Sequence, residues 1–319
     1  MLKTIGNTPL VKIKYEYMKK TNYIYAKLES LNLTGSIKDR TVYYIITKAI
    51  EKGTLKENMP IIEVTSGNTG ISLAALGKYF KHDVYIFMPD WVSEERIKLI
   101  KSYGANVKTF SREEGGFKRC LKEAELLSKK LNGFLANQFY NRDNILAQYE
   151  TTGQEILNQI KEEIGGFVSG VGTGGTLMGI GRKLRNKFCD IKITAIEPET
   201  MPLISKNKII GPHKIDGIGD EFVPKLIEKS EIDRIFLIND DDAINMSKKI
   251  SKDLGLGVGI SSGANFIGSV LLQQEINKSV VTVFADDNKK YLSTDLGKEL
   301  KEKDGYISKN IKLIDYEVI

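Results

Sequence analysis

Along the chain, short runs dense in isoleucine, valine and phenylalanine alternate with longer stretches in which apolar side chains recur every three or four positions. The short runs predict strands over residues 23–28, 61–64, 84–88, 106–109, 166–169, 192–196 and 280–285. The longer stretches predict helices over residues 39–52, 71–79, 94–103, 116–131, 147–163, 177–188, 241–254 and 264–274. Strands that alternate with helices in this way build parallel sheets covered by helices on both faces. The expected fold class is α/β with two lobes, each a mostly parallel twisted sheet flanked by helices. No repeat, low-complexity tract or Pro/Gly/Ser-rich linker interrupts the pattern, so the lobes should pack closely rather than hang on a tether.

Composition narrows the chemistry. The 319 residues carry 47 Lys plus Arg against 41 Asp plus Glu, a surplus of +6, with 41% hydrophobic and 28% charged residues. That is the balance of a soluble globular protein. The positive charge is spread without a basic run of five, so no nucleic-acid partner is expected. No apolar run approaches the ~18–20 residues that span a bilayer, so no membrane partner is expected either. Met1 to Lys14 lacks the apolar core of a secretory signal, and a cytoplasmic location follows as the expectation. Cys120 and Cys189 stand far apart, as do His82 and His213, which argues against a disulfide framework, a CxxC site or a zinc site. The chemistry then falls to lysine, hydroxyls, carboxylates or a cofactor.

Ligands of doubly wound sheets bind beyond the carboxyl ends of strands, which directs attention to the strand-to-helix turns. The turn Thr65-Ser66-Gly67-Asn68-Thr69-Gly70 sets hydroxyls, an amide and glycines at a helix N-terminus, with no lysine or arginine among them. Free N–H groups and the positive end of the helix suit a small carboxylate there. A second turn, Gly170-Val171-Gly172-Thr173-Gly174-Gly175-Thr176, offers converging backbone donors for a phosphate. It also satisfies G-x-G-x-x-G, with Glu197 placed where a ribose-binding acid would stand, so a dinucleotide remains open. In the third, Asn32 to Arg40, Lys38 sits behind Thr34, Gly35 and Ser36 where a helix begins. A helix N-terminus and burial both favour a neutral amine, which can form a Schiff base with a carbonyl group. A fourth small-residue turn, Gly259 to Ala264, opens another helix and by itself indicates no more than a helix start.

Together and in order, these segments resemble the cysteine synthase and cystathionine β-synthase family of pyridoxal-phosphate enzymes, with a tryptophan-synthase-β-like fold. Asn7-Thr8-Pro9-Leu10 is similar to the family's opening motif, and Asn32 to Arg40 to N-P-T-G-S-x-K-D-R with Leu33 in place of proline. Thr65 to Gly70 resembles T-S-G-N-T-G. Met88-Pro89, Ser93 to Arg96 and Tyr103-Gly104-Ala105 resemble M-P…S-x-E-R…Y-G-A. Gly172 to Thr176 is similar to G-T-G-G-T, His213 to Gly219 to H-K-I-x-G-I-G, and Gly259 to Ala264 to G-I-S-S-G-A.

The resemblance implies pyridoxal 5′-phosphate as cofactor, held covalently by Lys38, which also moves the substrate α-proton. It implies Gly172, Thr173, Gly174, Gly175 and Thr176 around the phosphate, Asn68 at the cofactor 3′-oxygen and Ser261 at the pyridine nitrogen. Thr65, Ser66, Thr69 and Gln138 would take the substrate carboxylate. With Lys38 present, a single phosphate is preferred to a dinucleotide. An NAD-dependent oxidoreductase stays as the remote alternative, and an inert regulatory relative is disfavoured by the intact lysine. The resemblance further implies a homodimer and two lobes, the smaller from residues 1–12 and 35–145 and the larger from residues 13–34 and 146–319. The haem-binding and regulatory segments of animal cystathionine β-synthases are not expected.

The implied reaction is β-elimination or β-replacement on a serine- or cysteine-type amino acid through an α-aminoacrylate, with sulfide, a thiol or water as the second reactant. Departures from the family pattern bear on which. Asp216 stands where O-acetylserine-using members often have glutamine, and Gln148 where histidine is common before T-T-G. Asp220-Glu221 follows Gly219, where cysteine synthases have small residues. A carboxylate at that pocket would repel hydrosulfide and serve as a base toward water or a thiol. The favoured expectation is consumption of cysteine with sulfide release, water giving serine or a thiol giving a thioether, and Asp220 as the catalytic base. The alternative is cysteine synthesis from O-acetylserine or O-phosphoserine and sulfide. Ala285 to Thr294 resembles the A-D-x-x-x-K-Y-L-S-T of some phosphoserine users, but residues 201–224 offer only Lys206, Lys208 and Lys214 for a phosphate.

Overall fold

The computed structural model describes residues 2–299 and 303–319. Met1 and residues 300–302, which the sequence assigns to the two lobes, lie outside the described residues. Eleven strands are described: β1 Leu10–Tyr17, β2 Lys20–Leu28, β3 Ile61–Val64, β4 Val84–Pro89, β5 Asn106–Phe110, β6 Phe134–Leu135, β7 Gly166–Gly170, β8 Lys192–Pro198, β9 Arg234–Ile238, β10 Val280–Phe284 and β11 Lys312–Val318. The helices are α1 Lys38–Glu51, α2 Asn68–Tyr79, α3 Glu94–Ser102, α4 Gly116–Leu131, α5 Asp143–Ala147, α6 Gly153–Gln159, α7 Gly175–Arg185, α8 Leu203–Lys206, α9 Asp240–Leu254, α10 Ile260–Ile276 and α11 Ile307–Asn310.

The strands form two sheets. A seven-stranded sheet runs β11-β1-β2-β10-β7-β8-β9, and a four-stranded sheet runs β5-β4-β3-β6. All pairs are parallel except β1 with β2 and β1 with β11. This is the α/β class expected from the sequence. β1 straddles residue 12, the predicted edge of the smaller lobe, and pairs wholly within the seven-stranded sheet.

The central strands of each sheet are buried on both faces, which explains their nearly unbroken apolar runs. β10, Val-Val-Thr-Val-Phe, is buried at every residue. Ile244 and Ile250 of α9 and Phe266 and Val270 of α10 pack on one face of the large sheet, while Ile156 of α6 and Leu177, Ile180 and Leu184 of α7 cover the other. The small sheet takes Val42, Ile45 and Ile46 of α1, Leu73 and Leu76 of α2 and Ile100 of α3 on one face. Cys120 and Ala124 of α4 lie on the other.

The sequence predicts one helix over 147–163; the structure breaks it. After α5 the chain takes a π-helical turn, Gln148–Thr152, and then α6, which stops at Gln159 where Ile160 turns extended. The cause is tertiary. Gly179 of α7 packs so close that a Cβ on it would lie 2.5 Å from the Ile145 carbonyl oxygen. Gln148, completely buried, donates to Thr41 at 3.2 Å and accepts from Thr152 at 2.7 Å.

Candidate active site

Lys38, Asp39 and Arg40 open α1 and face three ways. Asp39 accepts from the Thr34 N–H at 2.7 Å, the Thr34 hydroxyl at 2.6 Å and the Ser72 hydroxyl at 2.7 Å, tying α1 to α2. Arg40 makes two charge-assisted bonds to Glu29, at 2.7 and 2.8 Å, and two to Glu155, at 2.6 and 2.8 Å. Lys27 closes this buried cluster with a 2.8 Å ion pair to Glu155. Lys38 is left to point into a cavity between the two sheets. Its ammonium has no hydrogen-bond or ion-pair partner among the described residues. Burial pulls its pKa below the ordinary lysine value, and the carboxylates of Asp220 and Asp286 oppose this only in part.

The cavity wall contains every residue to which the resemblance assigned a cofactor or substrate contact, together with Asp220, except Gly175, which sits behind it as the first residue of α7. In the glycine turn, Gly174 has φ +88°, a left-handed conformation that suits glycine. A Cβ on Gly172 would meet the Gly217 carbonyl oxygen at 2.4 Å, and one on Gly175 would meet Asn144 Oδ1 at 2.0 Å. Thr173 Oγ1 accepts from Asn144 at 2.9 Å, while the N–H groups of Thr173, Gly174 and Thr176 have no acceptor among the described residues. Free donors converging at the start of a helix form a cradle for a phosphate.

Across the cavity, Thr65 Oγ1 accepts from the Gly67 N–H at 3.0 Å, and Thr69 donates to Gln138 Oε1 at 2.6 Å. Gln138 is fixed from behind by Val64, whose carbonyl accepts from its side chain at 3.2 Å. The Ser66 hydroxyl makes no hydrogen bond among the described residues. Asn68 donates to Asp286 at 2.7 Å and leaves its own Oδ1 buried without a partner. Ser261, in the first turn of α10, is buried at the wall, and its hydroxyl has no partner among the described residues. The idle hydroxyls and the unpaired lysine as donors, and the orphaned Asn68 oxygen as an acceptor, are the polar groups that a phosphorylated pyridine aldehyde would engage.

Glu63 of β3 lies under this wall. Its carboxylate accepts from the Gln138 N–H at 3.0 Å and the Val64 N–H at 2.8 Å, and burial pushes its pKa from 4.5 up to about 7. Between those values the folded chain holds a proton that the unfolded chain has released, so this group's contribution to stability falls as pH rises through that interval. Glu63→Gln removes the titration. The melting temperature of the variant relative to the parent is expected to rise by several degrees between about pH 5 and about pH 8. Thermal unfolding at several pH values checks this, and a flat difference would rule Glu63 out as the buried proton site.

Asp220 enters the cavity from the loop before Pro224. Burial pushes its pKa up to about 6, against the lowering pull of His213 and Lys38, with Glu221 pushing the same way as burial. The wall also contains residues to which the sequence reading gave no role at the site: Arg96, Phe139, Asn265, Asp286 and Tyr291. Arg96 is 2% exposed, pairs with Asp216 at 3.1 Å and stacks on the Tyr291 ring at 4.6 Å, and Tyr291 donates to Asp286. Arg96 and Tyr291 lie inside segments quoted above for their resemblance, which is the signal that pointed toward them. Glu197, the candidate ribose acid, is occupied otherwise. It accepts from the Ile204 and Ser205 N–H groups at 2.6 and 3.0 Å at the start of α8. Among the described residues no three His, Cys, Asp or Glu side chains gather where a metal ion could sit, and no helix is long and apolar enough to cross a membrane.

A family model described as pyridoxal-phosphate dependent enzyme matches residues 1–286. The chain belongs to this family. Its cofactor is pyridoxal 5′-phosphate, for which the cradle, the orphaned amide oxygen and Lys38 are fitted. Cysteine synthase B of Campylobacter jejuni is 39% identical over 92% of this chain and 96% of its own length. Among solved structures, a hydrogen sulfide-producing enzyme of Fusobacterium nucleatum is 46% identical, with a TM-score of 0.96 over 99% of this chain and 96% of that one. A cysteine synthase of Entamoeba histolytica is 38% identical, with a TM-score of 0.88 over 95% and 91% of the two chains. The pyridoxal-phosphate fold is thus common to enzymes that make cysteine and an enzyme that releases sulfide. The chain is a pyridoxal-phosphate-dependent β-replacement enzyme of cysteine metabolism.

Proposed function

We propose that this enzyme consumes cysteine, releasing hydrogen sulfide, and that water or a thiol takes the vacated β-position. The observation that carries the reading is Asp220, a half-buried carboxylate that lines the same cavity as Lys38, with its pKa pushed up to about 6. Bound here, the cofactor supplies the electron sink that lets an amino acid lose its α-proton and β-substituent and then accept a nucleophile at Cβ. Gly172 to Thr176 hold its phosphate, Asn68 its 3′-oxygen and Ser261 its ring nitrogen. Thr65, Ser66, Thr69 and Gln138 bind the substrate carboxylate through hydroxyls, a side-chain amide and the N-terminal end of α2.

Lys38, with a lowered pKa, accepts the α-proton. Asp220 gives its proton to the departing hydrosulfide, which leaves as hydrogen sulfide. The resulting carboxylate then takes a proton from water as the water oxygen bonds to Cβ, and Lys38 returns a proton to Cα. Cysteine and water become serine and hydrogen sulfide, and both side chains are restored. A pKa near 6 suits a group that must both give and take a proton near neutral pH. The 46% identity to a sulfide-producing enzyme, against 38–39% to cysteine synthases, supports the same direction.

The cavity does not favour a phosphorylated donor. Arg96 is its buried cation, and Asp216 already neutralises it. Lys206 and Lys208 are exposed away from the wall, and Lys214 pairs with Asp295 at 2.8 Å. Lys290 is buried against the Gly35 carbonyl at 2.7 Å. Cysteine synthesis from O-acetylserine and sulfide is the second reading, supported by the curated relatives named cysteine synthase. Supplying cysteine, serine, O-acetylserine and O-phosphoserine separately and following sulfide and amino-acid products separates the two. Asp220→Asn is expected to lower serine formation from cysteine about 100-fold while the bound cofactor's visible absorbance persists. Unchanged sulfide release and serine formation would overturn the role of Asp220.

A further inference from the structure

The segment that carries Asp220 belongs to the seven-stranded-sheet side of the cavity, yet both its ends are fastened to the other side. At one end Asp216 pairs with Arg96 of α3 at 3.1 Å. At the other end the Phe222 ring meets Phe139 edge-on, with centroids 5.0 Å apart at 68°, and Phe117 of α4 at 6.1 Å. Phe139 and Phe117 contact each other at 6.0 Å, closing a three-ring cluster beside Gln138. Between these anchors the backbone is braced from its own side. The Gly219 N–H donates to the Val171 carbonyl at 2.9 Å, and His213 Nε2 donates to the Gly219 carbonyl at 2.6 Å. Arg96 itself presses on the carboxylate-binding turn, where a Cβ on Gly67 would fall 2.4 Å from Arg96 Cδ.

We propose that Asp216 and Phe222 are positioning residues, two anchors that hold the Asp220 carboxyl in the Lys38 cavity so that proton transfer to the leaving sulfur and from the incoming water follows substrate seating on the Gly67 turn. This rests on the reading of Asp220 as the group that exchanges the proton. The ion pair carries directional information: Arg96 is buried while Asp216 is partly exposed, so losing the pair removes one of the two carboxylates, Asp216 and Asp286, that balance a buried guanidinium. An aromatic cluster adds contact without a polar group to satisfy. Losing either anchor frees one end of a short glycine-containing segment, and a shift of about 1 Å at a reacting group is enough to cost about 100-fold in rate.

Asp216→Asn and Phe222→Leu test the anchors separately, with Asp216→Glu and Phe222→Tyr as conservative rescues. The first readout is the pH profile of serine formation from cysteine. Asp220 faces Lys38, His213 and Glu221, and with an anchor lost it gains water. The acidic midpoint is expected to move from about 6 toward the ordinary aspartate range while the rate falls ten- to a hundredfold. A purely structural role would lower the rate and leave the midpoint in place. The second readout needs no turnover: hydrogen exchange at the amides of residues 217–221, measured with and without cofactor, is expected to quicken about tenfold or more in either variant and to recover in the rescues. An unmoved midpoint together with parental exchange in both variants would overturn the anchors. If Asp220→Asn leaves serine formation intact, the role of Asp220 fails, and the exchange data alone then decide whether the segment is anchored.

Discussion

Replacing Lys38 with alanine is expected to abolish sulfide release from cysteine, by about 1,000-fold or more, and to remove the visible absorbance of covalently held cofactor. The size of the effect follows from one side chain doing two jobs. Among the described residues the Lys38 amine has no hydrogen-bond or ion-pair partner, its pKa is lowered by burial, and in the proposed reaction it both takes and returns the α-proton. Lys38→Arg should fail equally, because a guanidinium stays charged and cannot attack an aldehyde. Borohydride treatment followed by peptide mapping should place the cofactor on Lys38 in the parent and nowhere in the alanine variant. Sulfide release within tenfold of the parent would reject this placement.

The largest effect on stability is expected from Arg40→Met. Arg40 and Glu29 are both fully buried, and the guanidinium binds both Glu29 and Glu155. Burial alone would raise Glu155, but Arg40 and Lys27 outweigh it and hold the carboxyl well below its ordinary range. Taking the guanidinium away leaves the buried Glu29 and the partly buried Glu155 carboxylates facing one lysine, a loss of about 3–5 kcal/mol. The melting temperature should then drop by roughly 4–7 °C. Adding Glu155→Gln removes one stranded charge, so the double variant should lose less than the sum of the singles. Simple additivity in chemical denaturation would show that the three groups do not act as a unit. Because Arg40 and Lys38 share the first turn of α1, the variant should also bind cofactor more weakly.

Much of this site was legible in the chain. The turns at 65–70, 172–176 and 259–264 and the lysine at 38 all reach one cavity, because small polar residues at strand-to-helix junctions have few other uses at such density. The parallel strands β3, β4, β7, β8 and β10 were legible as continuous apolar runs. β1 and β11 were not predicted, since interspersed lysines, tyrosines and acids break their apolar runs. The two-residue β6 is too short to announce itself, whereas β9, Arg-Ile-Phe-Leu-Ile, carries an apolar run as continuous as those of β7 and β10 and is absent from the expected strands. The π-helical turn at Gln148–Thr152 depends on the close approach of Gly179, a contact between segments that no local pattern encodes. Arg96 illustrates the same limit within the site: on an amphipathic helix it reads as surface charge, and only the partners Asp216 and Tyr291 make it a wall of the cavity.

The order β11-β1-β2-β10 sets a timetable for synthesis. Ile24 of β2 pairs with Val280 of β10, and Val11 of β1 with Val318 of β11, so the first strands made wait for the last. The four-stranded sheet draws only on residues 61–135 and can form while the rest of the chain is still on the ribosome. At ordinary elongation rates the gap between β6 and β10 lasts on the order of ten seconds. Through that interval β1 and β2 have an exposed edge and Lys38 lacks the far wall of its cavity. The nascent chain therefore cannot hold its cofactor as the finished enzyme does, and loading is an event that follows translation.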